Sequence, residues 1–306
     1  MGGFPVCDCR CDPNIDRTRA CLKVCKPAIL SCGQKVQLDK RIEQASYERD
    51  ALVEDVDRMR RDFEAAGWRV ETPTLYGDQR TIDNPPETLK DLTLSDYIDA
   101  MSAKARELES ETGQKPVIMG HSMGGLITQH LAARGDAAAA IFLTPAQTPD
   151  CQVQDLRLMI TFWSILKSGR KKVPENSHKV GRFGFRWGVL NEVPKARHDE
   201  IYAKARFDSG KVYRDLAEPA PIDEKTVAVP TLTIGAGKDR ATPVKAVRRV
   251  GQKYQGAAVP GDYIEYPQHA HWILDEPGTE RVAADILAWL DRKLATDTAP
   301  QPAPAA

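Results

Sequence analysis

Apolar residues recur along this chain at two different spacings, and the two alternate over most of its length. Spacings of three and four residues predict amphipathic helices at 47–66, 95–112, 126–133, 244–254 and 279–294. Short apolar runs predict strands at 68–75, 116–119, 138–143, 231–234 and 263–266. Because strands that alternate with helices form parallel crossover units, we predict a mostly parallel central sheet flanked by helices.

The alternation stops between residues 151 and 221. This segment has helical stretches at 153–167 and 194–205 but no clear strand. We interpret it as a helical cap inserted into an α/β core that comprises residues 46–150 and 222–294. Four aromatic side chains of the cap either line an acyl or aryl pocket or pack the cap on the core: Phe162, Trp163, Phe183 and Trp187.

The two ends of the chain differ in composition from the rest. Residues 1–45 contain six of the seven cysteines. Their spacing fits no zinc pattern, so we predict reduced thiols in a poorly ordered, atypical segment; a thiolate metal site and a disulfide knot are the alternatives. Residues 295–306 are rich in Ala and Pro and are predicted to be disordered.

Charge and hydropathy limit the choice of partner. The chain carries 43 basic and 43 acidic residues, so no global field would attract nucleic acid or an anionic membrane. No apolar run approaches the roughly 20 residues of a membrane-spanning helix, and residues 1–6 lack the apolar core of a signal peptide. We therefore expect a small-molecule substrate, no nucleic acid or membrane partner, and a cytoplasmic location.

The segment Gly120-His121-Ser122-Met123-Gly124-Gly125 joins a predicted strand to a predicted helix. A serine at the apex of a sharp strand-to-helix turn adopts a strained backbone that exposes its hydroxyl, and small neighbours prevent a clash. The strand and the helix make this common pattern specific. Ser122 is therefore the candidate nucleophile of a nucleophile elbow.

A serine nucleophile needs a base to take its proton and an acid to orient that base. Asp239 follows the predicted strand 231–234 and is the candidate acid, with Asp150 as its rival. His271 follows the last predicted strand and is the candidate base, in preference to His269. His121, beside the serine, is expected to pack and to form hydrogen bonds.

In its order of serine, aspartate and histidine, and in several short segments, the chain resembles the α/β-hydrolase fold superfamily, and within it the single-domain serine esterases and lipase-like proteins. The similarity extends over residues 63–294, and the matching segments are 65–70, 120–125, 237–243, 271–277 and 288–290. The resemblance implies a Ser122–Asp239–His271 triad, no metal or organic cofactor, and a helical cap inserted after the sixth strand.

The chain departs from the family's pattern at the oxyanion hole. Members usually have a His-Gly pair after an early strand, where a backbone N–H helps to bind the oxyanion. No histidine precedes His121 here, and the nearest counterpart is 27–33, which ends in Ser-Cys-Gly. On that alignment the N–H of Gly33 or Gln34 pairs with that of Met123. Alternatively, residues 1–45 are unrelated to the family and replace its first strands.

A serine at the elbow argues against epoxide hydrolases and haloalkane dehalogenases, which need a carboxylate there. The sequence predicts a hydrolase that cleaves a carboxylic ester, lactone or thioester of a small hydrophobic substrate through an acyl-enzyme intermediate. Two alternatives stay open at this point. One is a carbon-carbon bond hydrolase with the same triad, and the other is a catalytically weak binding protein on a hydrolase scaffold.

Overall fold

A computed structural model describes residues 57–295 of the chain. The predicted cysteine-rich segment 1–45, the candidate strand 27–33 and the predicted disordered tail from 296 onwards lie outside the described residues. So does the first part of the predicted helix 47–66, of which residues 57–65 are helical.

The described chain alternates helices and strands before and after the predicted cap. The core helices are α1 (57–65), α2 (Leu94–Thr112), α3 (Met123–Arg134), α9 (Val244–Gln255) and α10 (Thr279–Leu294). The core strands are β1 (Val117–His121), β2 (Ala139–Leu143), β5 (Thr231–Ala236) and β6 (Asp262–Tyr266). The intervening segment contains α4 (Leu156–Thr161), α5 (Trp163–Leu166), β3 (Ser177–His178), α6 (Arg182–Gly184), α7 (His198–Ala203), β4 (Asp208–Ser209) and α8 (Gly210–Ala217).

The four core strands form one parallel sheet in the order β1-β2-β5-β6. Every residue of β2 is buried, which explains why its sequence is a continuous apolar run and not an alternating one. Ile141 faces a cluster that contains Phe63 of α1 and Trp289 of α10. Phe142 faces the opposite cluster, which includes Tyr254 of α9. Helices therefore cover both faces of the sheet, as predicted.

The N-cap of helix α2 lies two residues before the predicted one. The N-cap is Thr93 and not Ser95, because Thr93 has an acidic residue three positions later. The Thr93 side chain accepts a hydrogen bond from the backbone N–H of Asp96, and the Asp96 carboxylate accepts one from the Thr93 N–H at 2.7 Å. Ser95 has Ile98 at that position and cannot form this reciprocal pair.

The predicted strand 68–75 is wrong. The backbone N–H of Trp68 donates to Phe63 O and closes the end of α1, and the segment that follows pairs with no strand among the described residues. A cavity of about 640 Å³, lined by residues 71–75 and by β1, separates it from the sheet. A strand needs ladder hydrogen bonds with a neighbour, and its apolar content alone does not supply them. Trp68 and Val70 pack against the Trp289 cluster instead.

The chain between β2 and β5 is mainly helical, with one antiparallel pair of two residues per strand, β3–β4. A pair this short leaves no alternating pattern, so no strand was expected there. The predicted helix 153–167 is interrupted at Phe162 and forms α4 and α5. Here Gly184 lies so close to Thr161 that an added Cβ would be 2.0 Å from the Thr161 carbonyl oxygen. The tight packing of α6 against α4 accompanies the interruption.

Candidate active site

Ser122 lies at the sharp turn between β1 and α3. Its φ of 55° and ψ of −117° are strained for a residue with a side chain. A Cβ added to Gly120 would lie 2.1 Å from the Gly124 carbonyl oxygen, and one added to Gly125 would lie 2.6 Å from Pro145 Cβ. Gly124 itself has open space around it. Gly120 and Gly125 are therefore the glycines that the turn requires.

Asp239 lies in the loop after β5 and is fully buried. Its Oδ1 accepts hydrogen bonds from the backbone N–H groups of Ala241 at 2.8 Å and Thr242 at 2.7 Å. Its Oδ2 lies 2.7 Å from the Thr242 hydroxyl. These bonds fix the orientation of the carboxylate. Sequence reasoning did not assign this role to Thr242, although a hydroxyl three residues after an aspartate in a Gly-rich loop was a signal for it.

His271 lies between the acid and the serine. Its Nδ1 is 2.8 Å from Asp239 Oδ2, and its Nε2 is 3.0 Å from Ser122 Oγ. The imidazole is buried, and both distances allow hydrogen bonds. The structure thus brings together the three side chains that the sequence nominated for the triad.

The two rival residues have other partners. His269 Nδ1 lies 2.8 Å from Glu276 Oε1, an oxygen that also accepts the backbone N–H of Ala270. Asp150 accepts a hydrogen bond from Lys253 Nζ of α9 at 2.8 Å. Neither His269 nor Asp150 is hydrogen-bonded to a side chain of the candidate triad.

The side chain of His121 is hydrogen-bonded to the backbone of His271, the candidate base. Its Nε2 lies 2.7 Å from the carbonyl oxygen of His271, and because a carbonyl only accepts, this nitrogen carries the proton. Burial lowers the pKa of His121 to about 3, so the ring is neutral at physiological pH. The ring lies beside those of His271 and Trp272. It holds the loop that carries the candidate base.

A comparison with known proteins identifies the family of this chain. The model of the alpha/beta hydrolase family matches residues 47–285, which is most of the chain. The chain belongs to the alpha/beta hydrolase family. Membership confirms the predicted fold class, a parallel sheet flanked by helices, and supports hydrolysis as the reaction type.

Solved structures show the same hydrolase fold at low sequence identity. A methylesterase protein, MES16, from Arabidopsis superposes with a TM-score of 0.58 at 16% identity, over 78% of this chain and 93% of its own. A mutant of polyneuridine aldehyde esterase gives 0.53 at 18% identity, over 77% and 93%. The pyrethroid hydrolase PytH gives 0.53 at 18% identity, over 78% and 92%.

Met123, the first predicted oxyanion-hole donor, lies at the start of α3. Met123 is the first helical residue, and the N–H groups of the first turn have no acceptor within the helix. The positive end of the helix dipole also lies there. The other predicted donor, Gly33, lies outside the described residues, so its contribution stays a prediction.

A cavity of about 420 Å³ opens at Ser122 beneath the predicted cap. Apolar side chains of α4 and α5 form much of its wall, including Leu158, Phe162 and Ile165. Two polar residues that sequence reasoning missed, Gln147 and Tyr213, also line it. No motif surrounds either residue, because the fold brings them to Ser122 from distant parts of the chain.

Tyr213 of α8 presents an uncommitted donor at this cavity. Within residues 57–295 its phenol hydroxyl has no hydrogen-bond partner, although the ring packs edge-on against His178. Burial raises the pKa of Tyr213, so the hydroxyl keeps its proton and can donate it to a bound molecule.

Of the four cap aromatics considered from sequence, only Phe162 lines the cavity. Trp163 and Phe183 are 60% and 71% exposed, so neither of the two predicted alternatives describes them. Trp187 contacts the Arg240 guanidinium, 4.6 Å from its ring centre. Across the described range, no three His, Cys, Asp or Glu side chains are grouped so as to hold a metal ion.

Proposed function

We propose that this protein is a serine hydrolase that cleaves a carboxylic ester, lactone or thioester of a small hydrophobic substrate through an acyl-enzyme intermediate. The observation that carries the proposal is the continuous series of contacts from Asp239 through His271 to Ser122, at the wall of an apolar cavity. Folding alone does not require a buried acid, an oriented base and a strained serine to lie together, whereas nucleophilic catalysis does.

The reaction follows from the two hydrogen bonds of His271. Its Nε2 takes the Ser122 proton as Oγ attacks the carbonyl carbon, and Asp239 holds the Nδ1–H tautomer and stabilises the imidazolium. The negative oxygen of the tetrahedral intermediate is stabilised by the Met123 N–H at the start of α3. His271 then protonates the leaving alcohol or thiol, and afterwards it activates the water that releases the acid.

The cavity supports a substrate with a compact apolar acyl or alkyl group. Its volume of about 420 Å³ lies in the range of small-molecule sites, and most of its exposed wall is apolar. Tyr213 and Gln147 are uncharged polar side chains that can orient a polar substituent, and the charged residues Arg170, Arg214 and Glu218 also line the wall. We keep the cytoplasmic location as a prediction.

Labelling with a fluorophosphonate probe tests the proposal. The intact protein should be labelled at Ser122, and Ser122→Ala should abolish both labelling and the hydrolysis of p-nitrophenyl esters. Activity should be higher on short to medium acyl chains than on long ones, because the cavity has a fixed volume. Failure of the folded wild-type protein to react with the probe at Ser122 would contradict the proposal.

A further inference from the structure

The apolar residues at the surface of this protein are concentrated in one place. Seven large hydrophobic side chains are exposed among residues 57–295, and six of them belong to α4, α5 and α6. One of the six, Leu166, lines the cavity at Ser122. We call the other five the outer cap face: Leu156 at 75%, Met159 at 48%, Ile160 at 41%, Trp163 at 60% and Phe183 at 71% exposure. An apolar patch of this kind marks a surface that binds something.

The sequence of α4 and α5 is apolar on two sides. Leu156, Ile160 and Trp163 recur at helical spacing on the exposed side. Leu158 and Phe162, at the positions between them, line the cavity at Ser122. Helices that only cover a core present polar side chains to water, so the exposed apolar side needs its own explanation.

Phe183 extends this face onto α6. The backbone N–H of Gly181 donates to Ser164 Oγ at 2.7 Å, and Gly184 lies directly against Thr161. These contacts pack α6 on the junction of α4 and α5. They position Phe183 beside the other exposed apolar residues.

Positive charge lies next to the outer cap face. Residues 156–174 contain no acidic residue. Arg170 is paired with Glu218, whereas Lys167, Lys171 and Lys172 are exposed and have no ion-pair partner within the described chain. An apolar helical face flanked by unpaired lysines is the composition of segments that lie in the boundary of an anionic bilayer.

We propose that the outer cap face binds an anionic lipid surface, with its apolar side chains at the headgroup boundary and Lys167, Lys171 and Lys172 near the lipid phosphates. The net charge of zero led us to expect no membrane partner, but an average over the chain says nothing about a local cluster. The inference is independent of the proposed reaction, because lipid binding needs none of the triad residues. No helix in the described range is long and apolar enough to cross a bilayer.

Sedimentation of the full chain with lipid vesicles tests this proposal. The wild type should bind vesicles of equimolar phosphatidylcholine and phosphatidylserine, and bind phosphatidylcholine alone much more weakly. Because one lysine near an anionic surface contributes about 1 kcal/mol, reversing two charges in Lys171→Glu/Lys172→Glu should weaken binding at least ~10-fold. Trp163→Ser/Phe183→Ser should weaken binding to both kinds of vesicle.

A matched variant separates the local cluster from the total charge. Lys225→Glu/Arg292→Glu makes the same charge change at exposed positions of the core and should bind as the wild type does. All six substituted residues are exposed, so the thermal unfolding midpoints should stay close to that of the wild type, which reports on folding separately. Absence of binding to the mixed vesicles would overturn the proposal. So would equal weakening by the core and cap variants, or no weakening by either cap variant.

Discussion

At the scale of single residues, Asp239 and Asp150 show how the surroundings of a carboxylate determine what it can do. Both follow a strand, and the sequence therefore nominates both. Asp239 is fully buried, bound by the backbone of its own loop and hydrogen-bonded to His271. Asp150 is partly exposed and paired with Lys253. Only the first can orient an imidazole towards Ser122.

We predict that Asp239→Asn lowers kcat by a factor of about 10⁴, because the amide favours the wrong tautomer of His271. Steady-state hydrolysis of a p-nitrophenyl ester measures the effect. Asp150→Asn makes the same chemical change at an exposed position and should keep kcat within about twofold, since Asp150 is hydrogen-bonded to Lys253 and to none of the triad side chains. An equal loss in both variants would contradict the assignment of the acid.

We also predict that Tyr213→Phe lowers kcat/KM about fivefold on a substrate with a polar substituent, because a lost hydrogen bond is equivalent to about 1 kcal/mol. Tyr254→Phe is the matched control. Its hydroxyl is also buried and unpartnered, but it lies under the sheet against Phe142 and away from the cavity. Unchanged kcat/KM in Tyr213→Phe would show that the phenol does not contact the substrate.

At the scale of elements, the turn between β1 and α3 shows which parts of a motif are required. The pattern Gly-x-Ser-x-Gly treats Gly120 and Gly124 alike. In the structure Gly120 is crowded by the backbone of α3, whereas the space beside Gly124 is open. The close approach of a strand and a helix, and not the pattern itself, determines which glycine can be replaced.

The two glycines should therefore respond differently to alanine. Gly120→Ala should destabilise the protein by about 3 kcal/mol or more, because its Cβ would overlap backbone atoms that cannot move alone. Gly124→Ala should change stability by less than about 1 kcal/mol, in the stabilising direction, since alanine is favoured within a helix. Urea unfolding followed by circular dichroism compares them. Equal destabilisation would contradict this view of the turn.

Local sequence patterns predicted most helices and strands. They failed where a segment's structure depends on another part of the chain that packs against it. The last helix, Thr279–Leu294, has the predicted bounds because its apolar spacing is complete. The capping box at Thr93 is legible in the sequence, yet the predicted N-cap is Ser95. The segment 68–75 has a strand-like composition but no strand beside it among the described residues. The interruption at Phe162 coincides with the close approach of Gly184, which no local pattern reports.

At the scale of the whole molecule, buried histidines should make the fold sensitive to acid. Burial lowers the pKa of His121 to about 3 and that of His130 to about 4. The ordinary pKa of a histidine is 6.5, so the unfolded chain binds these protons at a higher pH than the folded one. The contribution of these two histidines to the free energy of unfolding is therefore fully present above pH 6.5, and it decreases as the pH falls from there towards 4.

We predict that His130→Leu makes this decrease shallower, because the variant has no proton to bind at that position and loses a buried nitrogen without a partner. Urea unfolding at a series of pH values between 6.5 and 4.5 measures the slope. This window lies at and above the ordinary pKa values of the carboxyl groups. An unchanged slope in His130→Leu would contradict the prediction.

The sequence by itself determined the fold class, most helices and strands, and the short list from which the triad is drawn. These rest on patterns within a few residues: periodicity, capping and the strand-turn-helix at Ser122. Tertiary structure alone decided which histidine lies 3.0 Å from Ser122, which aspartate faces that histidine, and that Tyr213 lines the same cavity. Such contacts join residues 32 to 149 positions apart, and they depend on how strands and helices stack, which no local pattern encodes.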